Sequence, residues 1–362
     1  MKIIFFVQMI DLEDDIRGFI HGWAEALASR VDKLYIIALM VGKHEFKRDN
    51  IVLYSLGKEK GFSRIRIFYN FNRIILDILR KDDIDIIFTH MTPLYSVISA
   101  PYSLLFRVPI VTWYTHRQVT TMLRLAHVVS KKIVTASTES YGISSRKVVV
   151  AGHGIDTNLF RPCGGGSMKG MTHIISVGRL SPIKNHETFI SAIDILVNQK
   201  GIKNIKATIV GGIPEKSGID YEKQLKEQMK LLKLEDRVEF AGSVPFKDIM
   251  DYYCEGDIFY NGCPTGGLDK AVLEAMACGK IVFTSNMGFK SLLGNDLTFR
   301  AGDSVELADK MLALLHLHMD KRHEIGTTLR KMVVKEYSIH RLMEKLAGEL
   351  RSVSRLQEVA LQ

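Results

Sequence analysis

The chain has 362 residues, which is enough for two domains that each bury a hydrophobic core. Its composition, 46% hydrophobic and 25% charged, is that of an ordinary globular protein with no repeat or low-complexity tract. The net charge of +9 favours phosphate-bearing substrates or an anionic membrane surface, and because no nucleic-acid-binding module is recognisable we expect no nucleic-acid partner.

Features of the sequence favour a cytoplasmic protein. No apolar run approaches the roughly 18–20 residues that span a bilayer. The N-terminal stretch MKIIFFVQMI has no small-residue cleavage site of a signal peptide, and we predict it to be the first β-strand. The cysteines show no CxxC spacing and no disulfide framework, which favours a reducing compartment. They are Cys163, Cys254, Cys263 and Cys278.

Strand and helix patterns alternate through the first half of the chain, which predicts a parallel α/β sheet. The predicted strands are Ile3–Val7, Leu34–Leu39, Ile84–Phe88, Ile110–Trp113, Ile133–Thr135 and Val148–Val150. The predicted helices are Arg17–Ser29, Ile67–Lys81, Ser96–Phe106 and Thr120–Val129.

The same alternation restarts in the second half. The predicted strands are His173–Val177, Lys206–Val210, Val238–Phe240, Ile258–Tyr260 and Ile281–Thr284. The predicted helices are Asn185–Gln199, Tyr221–Leu232, Phe246–Tyr253 and Lys270–Cys278, followed by a helical tail at Val305–Leu317, Lys321–Lys335 and Ile339–Val359. A glycine-rich connector at 161–170 marks the boundary, so the predicted domains are 1–163 and 171–338, with a last helix at 339–362.

One acid interrupts a helix that is otherwise apolar on every side, Lys270–Cys278. This acid is Glu274, and a buried carboxylate is costly unless it is hydrogen-bonded or paired. Gly266 and Gly267 precede the helix, and the free N–H groups of a helix start attract anions. An internal cap or ion pair is the alternative, but loop and helix together favour a ligand site.

Two cations, Arg179 and Lys184, lie between a predicted strand and the helix that follows it. Ligands of doubly wound sheets bind beyond the carboxyl ends of the strands. The planar fork of an arginine and the point charge of a lysine suit a diphosphate. Two solvated surface cations are the alternative interpretation.

The segment GRLSPIK at 178–184 and the run LEAMACG at 273–279 resemble motifs of family 4 glycosyltransferases, the glycosyl transferases group 1. The resemblance covers most of the chain and is most specific from Ser176 to Ser285. It implies the GT-B fold, an α/β architecture of two Rossmann-like doubly wound domains that face each other across a cleft. In this family the C-terminal helix crosses back to the first domain.

The resemblance also implies roles for residues of the second domain. Arg179 and Lys184 would neutralise the leaving nucleotide diphosphate, and Glu274 would hold the ribose. The family's first Glu falls on Gly266 and is absent, so Asp269 is the nearest acid that could replace it. The expected substrate-binding residues are Gly266, Gly267, Leu268, Asp269 and Lys270, with Gly211 turned toward the nucleotide base.

In the first domain, His116 follows the strand Ile110–Trp113, where many relatives keep a histidine that faces the sugar. We expect it to orient the donor sugar or pass a proton, although a lone histidine is more often a core or surface residue. His90 is expected to line the same cleft. Gly18, in the first loop, is expected to approach the donor phosphates.

The acids of that first loop are either charges that favour a helix start or the source of an acceptor-facing general base. They are Asp11, Glu13, Asp14 and Asp15.

Asp83 and Asp85 form a DxD, the metal-binding motif of GT-A glycosyltransferases. A metal-binding DxD lies at the carboxyl end of its strand, whereas this one begins before the predicted strand Ile84–Phe88. We therefore expect no required metal and no other cofactor, with the diphosphate neutralised by protein groups.

The segment 58–81 carries seven Lys or Arg and two acids, interleaved with aromatic residues. Such a segment can lie on an anionic leaflet, which would make the protein peripheral on the inner membrane face. An ordinary surface helix is the alternative.

The patterns and the resemblance together predict a glycosyltransferase that moves a sugar from a UDP- or GDP-sugar to an acceptor hydroxyl. Retention of the anomeric configuration is implied by the resemblance alone. The acceptor would be a saccharide or glycolipid, in polysaccharide or glycolipid synthesis. Two alternatives stay open: a sugar-nucleotide-binding protein without transfer, and a GT-B nucleotide-sugar epimerase.

Overall fold

The computed structural model describes residues 1–163, 170–213, 216–264 and 267–354, without the side chains of 216–218. Contacts divide the chain into two compact units, Met1–Gly154 with the last helix, and Ile155–Ser338. The division falls before the glycine-rich connector, of which 164–169 lie outside the described residues. No helix in the described ranges is both long and apolar enough to cross a membrane.

The first unit is built on a parallel sheet with the strand order β3-β2-β1-β4-β5-β6-β7. Its order from β3 to β5 is that of a Rossmann sheet, with β1 at the centre between β2 and β4. The strands are β1 (Lys2–Ile10), β2 (Lys33–Val41), β3 (Ile51–Ser55), β4 (Ile86–His90), β5 (Ile110–Trp113), β6 (Lys132–Thr135) and β7 (Val148–Val150).

Helices cover both faces of this sheet because both sets of alternating side chains on its central strand are buried. Ile3, Phe5 and Val7 pack toward α1 (Phe19–Ala28) and α12 (Ile339–Arg351). Ile4 and Phe6 pack on the opposite face. The helices of that face are α2 (Arg64–Lys81) and α3 (Pro93–Phe106), and beside them lies α4 (Thr121–Val129).

The second unit repeats the pattern with a five-stranded parallel sheet in the order β10-β9-β8-β11-β12. Its strands are β8 (Thr172–Val177), β9 (Ile205–Val210), β10 (Val238–Gly242), β11 (Ile258–Asn261) and β12 (Ile281–Thr284). Its helices are α5 (His186–Asp194), α6 (Lys216–Leu231), α7 (Ile249–Glu255), α8 (Lys270–Ala277), α9 (Lys290–Leu293), α10 (Ser304–Leu315) and α11 (Met319–Glu336).

The main differences from the predicted elements have local causes. The edge strand β3 was not predicted, and all five of its residues are only half-buried in the structure. Strand β4 begins at Ile86 and ends at His90, two residues later than predicted. Helix α5 continues as a π-helical turn through Gln199, and α7 follows a short 3₁₀ turn. The last helix is described to Arg351.

The prediction that the cysteines form no disulfide is wrong. Cys163 is bonded to Cys254, which lies 91 residues further along the chain, and their Cα atoms are 5.4 Å apart. Sequence spacing could not show this pair, because Cys163 lies in the glycine-rich connector and Cys254 in α7. Only the fold brings these two segments together. The cysteine pattern therefore gives no support for a cytoplasmic location, which stays a prediction.

Candidate functional site

The loops after β8 and β9, at the carboxyl edge of the second sheet, approach each other closely at two glycines. The N–H of Gly178 donates to the carbonyl of Val210 at 2.9 Å, and the N–H of Gly211 donates to that of Gly242 at 2.8 Å. Gly211 has φ of +155°, and a Cβ atom there would lie 1.8 Å from the carbonyl oxygen of Gly178. Only glycine fits this approach, so the sequence fixes how the loops after β8 and β9 meet.

This junction presents the two predicted cations. Arg179 follows Gly178 directly and is exposed. Lys184 ends a 3₁₀ turn just before α5 and is largely buried. Its Nζ lies 2.5 Å from Oδ2 of Asp269. Burial lowers the pKa of Lys184, but the charge and hydrogen bond of Asp269 outweigh it and raise the pKa above its ordinary value.

Asp269 collects three donors at the start of α8. It accepts hydrogen bonds from Lys184, from Nδ2 of Asn261 at 3.0 Å and from the N–H of Ala271 at 3.2 Å. The last contact makes it the N-cap of the helix. Burial raises the pKa of Asp269, but the charge of Lys184 and these hydrogen bonds outweigh it and hold the pKa below its ordinary value.

Glu274 lies one turn further along α8 and is buried, as the sequence predicts. Its Oε2 accepts a hydrogen bond from the hydroxyl of Tyr253 at 3.0 Å. Burial raises the pKa of Glu274, against the opposing charge of Lys270 and the Tyr253 hydrogen bond. Burial in turn lowers the pKa of Lys270 to about 8, although Glu274 and Asp269 both raise it. The acid is therefore paired in part, and ligand binding and internal pairing are compatible at this position.

Polar side chains behind this cluster were missed in the sequence. Asn261 accepts a hydrogen bond from the hydroxyl of Thr284 at 2.9 Å while it donates to Asp269. Nδ2 of Asn286 donates to the carbonyl of Gly267 at 2.7 Å and fixes the loop before α8. Asn261 and Thr284 end neighbouring strands, so the strand-end rule that selected Arg179 would have found them too.

The structure thus brings most predicted residues of the second unit to one sheet edge. Lys184, Asp269, Lys270 and Glu274 influence one another's pKa values, and the charge of Arg179 acts on Lys184. Leu268 is partly buried against the hydrophobic core, and its contact with a ligand stays a prediction. Gly266 lies outside the described residues.

The two predicted histidines of the first unit have different surroundings. His116 is exposed beyond the carboxyl end of β5, with its Nδ1 3.3 Å from the N–H of Gln118. His90 is only 3% exposed, and its ring packs beside those of Trp23 and Trp113, at centroid distances of 5.0 and 6.4 Å. His90 is therefore a core residue by its packing, and its substrate contact stays a prediction.

The first loop is held by its own acids. Oδ1 of Asp14 accepts hydrogen bonds from the N–H groups of Ile16 and Arg17, in the turn that precedes α1. Asp11 accepts from the N–H of Lys43 at 3.2 Å. Gly18 caps α1 with a right-handed backbone. Asp14 therefore holds the turn before α1 and does not lie in the first turn of the helix, and the approach of Gly18 to the donor phosphates stays a prediction.

The DxD motif lies at the opposite edge of the first sheet. Oδ2 of Asp85 accepts a hydrogen bond from the N–H of Lys2 at 2.7 Å, next to the amino end of β1. Within the described ranges, no three His, Cys, Asp or Glu side chains are grouped so as to hold a metal ion. Asp85 is thus a structural residue that joins β4 to β1.

Comparison with known proteins shows that the candidate site of the second unit lies in a segment that matches a family model. Residues 172–317 match the family model described as Glycosyl transferases group 1. The chain is 27% identical over 169 residues to human GDP-Man:Man(3)GlcNAc(2)-PP-Dol alpha-1,2-mannosyltransferase, covering 44% of this chain and 34% of that protein. It is 26% identical over 149 residues to mannosylfructose-phosphate synthase of Agrobacterium fabrum, covering 39% of this chain and 33% of that one. The chain thus spans about a third of the length of these curated relatives.

Solved structures match over nearly the whole chain. Anabaena HepE in complex with UDP and glucose superposes with a TM-score of 0.76 and 20% identity, over 97% of this chain and 100% of that one. Sucrose-phosphate synthase of Thermosynechococcus elongatus gives a TM-score of 0.73 and 16% identity, over the full length of both chains. The predicted fold class is confirmed: the chain has two parallel sheets with helices, and it matches solved structures of the GT-B fold over nearly its whole length.

Proposed function

We propose that this protein is a glycosyltransferase that moves a sugar from a nucleoside diphosphate sugar to an acceptor hydroxyl. The observation that carries the proposal is the charged cluster of Lys184, Asp269 and Glu274 at the carboxyl edge of the second sheet. It lies within the segment that matches the glycosyl transferases group 1. Fold, site position and charge therefore support the same activity.

Arg179 and Lys184 are proposed to receive the diphosphate. An exposed guanidinium beside a partly buried ammonium offers both a bidentate donor and a concentrated charge. Their charge would stabilise the negative charge that develops on the leaving nucleotide as the glycosidic bond breaks. We keep metal independence as part of this proposal, because protein cations stand where the diphosphate would bind.

Glu274 is proposed to accept hydrogen bonds from the ribose hydroxyls. Tyr253 already donates to one of its oxygens, which fixes the carboxyl group for a second partner. Lys270 adds positive charge on the same helix. The carboxylate would be favoured over the neutral acid once ribose hydroxyls donate to it.

Asp269 is proposed to replace the missing first acid at Gly266. It is an acceptor held in place by the helix start and by Asn261. Because Lys184 neutralises it in the free protein, a donor diphosphate would take over that lysine and free Asp269 for the sugar hydroxyls. His116, in the first unit, is proposed to orient the sugar or pass a proton.

For the donor and the acceptor we propose a chemical class and no individual compound. The names of relatives include a GDP-mannose-dependent transferase and an Arabidopsis phosphatidylinositol N-acetylglucosaminyltransferase subunit, and HepE was solved with UDP and glucose. We therefore propose a UDP- or GDP-sugar donor, a saccharide or glycolipid acceptor and retention of configuration. A binding protein without transfer is the second candidate, favoured by the glycine at position 266.

The test is transfer by the purified full chain. The protein is incubated with UDP- and GDP-sugars, with saccharide or glycolipid acceptors and with a chelator, and product is followed by mass spectrometry and anomeric NMR. We expect an acceptor-dependent α-linked product from an α-linked donor. Donor binding without product from any acceptor would favour the binding protein, and turnover without acceptor to an isomeric nucleotide sugar would favour an epimerase.

A further inference from the structure

Three helices form one outer layer of the first unit. Side chains of α2 and α3 pack on the sheet face that carries Ile4 and Phe6. Leu123 of α4 packs against Ile133, which lies on that same face because its neighbour Val134 points to the opposite core. The hydroxyl of Tyr102 on α3 donates to Asn72 of α2. The outward sides of α2, α3 and α4 therefore belong to one surface.

This surface, here called the α2–α4 face, is unusually apolar. Of the twenty large hydrophobic residues that are exposed in the described chain, nine lie on these three helices. Leu104 is 81% exposed, Leu105 73% and Val128 71%, so they make little contact with the rest of the chain. The others are Ile65, Phe68, Tyr69, Leu94, Met122 and Leu125. A contiguous set of this kind marks an interaction surface rather than scattered exposure.

The charges on the same helices are almost all positive. Helix α3 has no charged residue, and α4 has only Arg124. Helix α2 carries five cations and one acid, Asp77, which pairs with Lys81 at 2.8 Å. Arg66 also lies over the ring of Phe62, 3.6 Å from its centroid. Asp77 is the one acid of these helices and it pairs with Lys81, so the apolar residues are accompanied by a net positive charge.

We propose that the α2–α4 face docks on an anionic lipid bilayer. Leucine and aromatic side chains would enter the interfacial region, and the arginines of α2 would meet lipid phosphates. A second copy of the chain is a poorer occupant, because two faces of the same positive charge repel each other. The proposal extends the basic segment 58–81 to two further helices and concerns binding alone, so it does not depend on transferase activity.

The test is co-sedimentation of the full chain with vesicles of phosphatidylcholine alone or with phosphatidylglycerol added. We expect binding only to the anionic vesicles, weakening as salt screens the charges. The affinity of the double variant Leu104→Gln/Leu105→Gln for these vesicles should fall by at least about tenfold, because two exposed leucines no longer enter the bilayer. Its thermal stability should match that of wild type, because neither side chain is buried.

A matched control changes two exposed apolar residues of the second unit. Leu231 and Val305 are 82% and 58% exposed, and Leu231→Gln/Val305→Gln should leave vesicle binding unchanged. Absence of wild-type binding, or equal loss in both double variants, would overturn the proposal. So would a dimer in light scattering that dissociates in Leu104→Gln/Leu105→Gln, because the face would then be an interface between copies.

Discussion

Lys184 and Asp269 form an ion pair across 85 residues of sequence, with Nζ and Oδ2 2.5 Å apart. The pair joins the loop after β8 to the first turn of α8. It also neutralises, in the free protein, the cation that we assign to the donor diphosphate. On the proposed function, donor binding would compete with Asp269 for Lys184, and this exchange would influence both the affinity for the donor and the position of its sugar.

Removal of the acidic charge at position 269 should strengthen binding of a free nucleoside diphosphate. Asp269→Asn keeps an acceptor for the N–H of Ala271 but releases Lys184, so we expect affinity to rise by about threefold to tenfold. Lys184→Met should lower affinity by about tenfold to a hundredfold. Isothermal titration calorimetry measures both.

The same two variants should differ in transfer. If Asp269 holds the sugar, Asp269→Asn will bind nucleotide more tightly and yet transfer more slowly. If Asp269→Asn and Lys184→Met both lost affinity for the nucleotide, this would contradict the proposal that the diphosphate takes Lys184 from Asp269. Each variant is first checked by thermal denaturation, because breaking a buried pair costs about 3 to 5 kcal/mol.

The glycine junction should tolerate no side chain. Gly211→Ala places a Cβ 1.8 Å from the carbonyl oxygen of Gly178, so the loops after β8 and β9 must separate. We expect a lower midpoint of thermal unfolding and loss of nucleotide binding. Gly201→Ala is the control, because Gly201 also has a positive φ, +72°, but no heavy atom within 4 Å of its Cβ. Equal unfolding midpoints and equal nucleotide binding in the two variants would show that the close approach of Gly211 to Gly178 is not required.

Nucleotide affinity should fall as the pH rises through about 8, the pKa to which burial lowers Lys270. The protonated amine attracts the diphosphate, so binding raises its pKa and is strongest below that value. Lys270→Arg should remove this pH dependence, because arginine stays charged. Titration calorimetry between neutral and alkaline pH measures the effect.

Unfolding cannot produce the same pH dependence through Lys270. An unfolded lysine keeps its proton to a higher pH, so between about 8 and 10 the unfolded state binds more protons and the free energy of unfolding rises with pH. A pH-independent affinity in wild type would place Lys270 away from the ligand.

The disulfide should stabilise the second unit. The Cys163–Cys254 bond links residues separated by 91 positions, and loss of such a bond typically costs about 2 to 4 kcal/mol. We expect reductant to lower the unfolding midpoint of wild type but not of Cys254→Ser. Four free thiols in unreduced, denatured protein would contradict the pairing.

The sequence predicted the sheets well because their strands are short, apolar and separated by clear helical patterns. It also predicted that Glu274 is buried, since a helix apolar on every side has no exposed face. The prediction failed where the end of a strand lies two residues from its predicted position, because the residues at that end then have different surroundings. His90 was placed beyond a strand, but it ends β4 and packs among aromatic rings.

Pairings over long distances could not be predicted from one sequence. Asp269 could be named as the nearest acid to Gly266, but its partner Lys184 lies in another loop that only the fold brings near. The bond between Cys163 and Cys254 has the same origin. Tyr253, which orients Glu274, belongs to a helix whose pattern carries no sign of ligand contact.

The most direct test of the account is binding of nucleotides to the second-unit site. Thermal unfolding of wild type and Glu274→Ala is compared with UDP, GDP, ADP and their common sugars, without added metal. Glu274→Ala removes a buried acid and should fold, because a carboxyl group with a raised pKa is costly to bury.

The account predicts that one nucleotide stabilises wild type, by about 2.7 kcal/mol at a hundred times its dissociation constant, and that Glu274→Ala loses this effect. An equal shift in the variant would remove the ribose role of Glu274. No shift with any nucleotide would contradict the donor site and, with it, the proposed transferase.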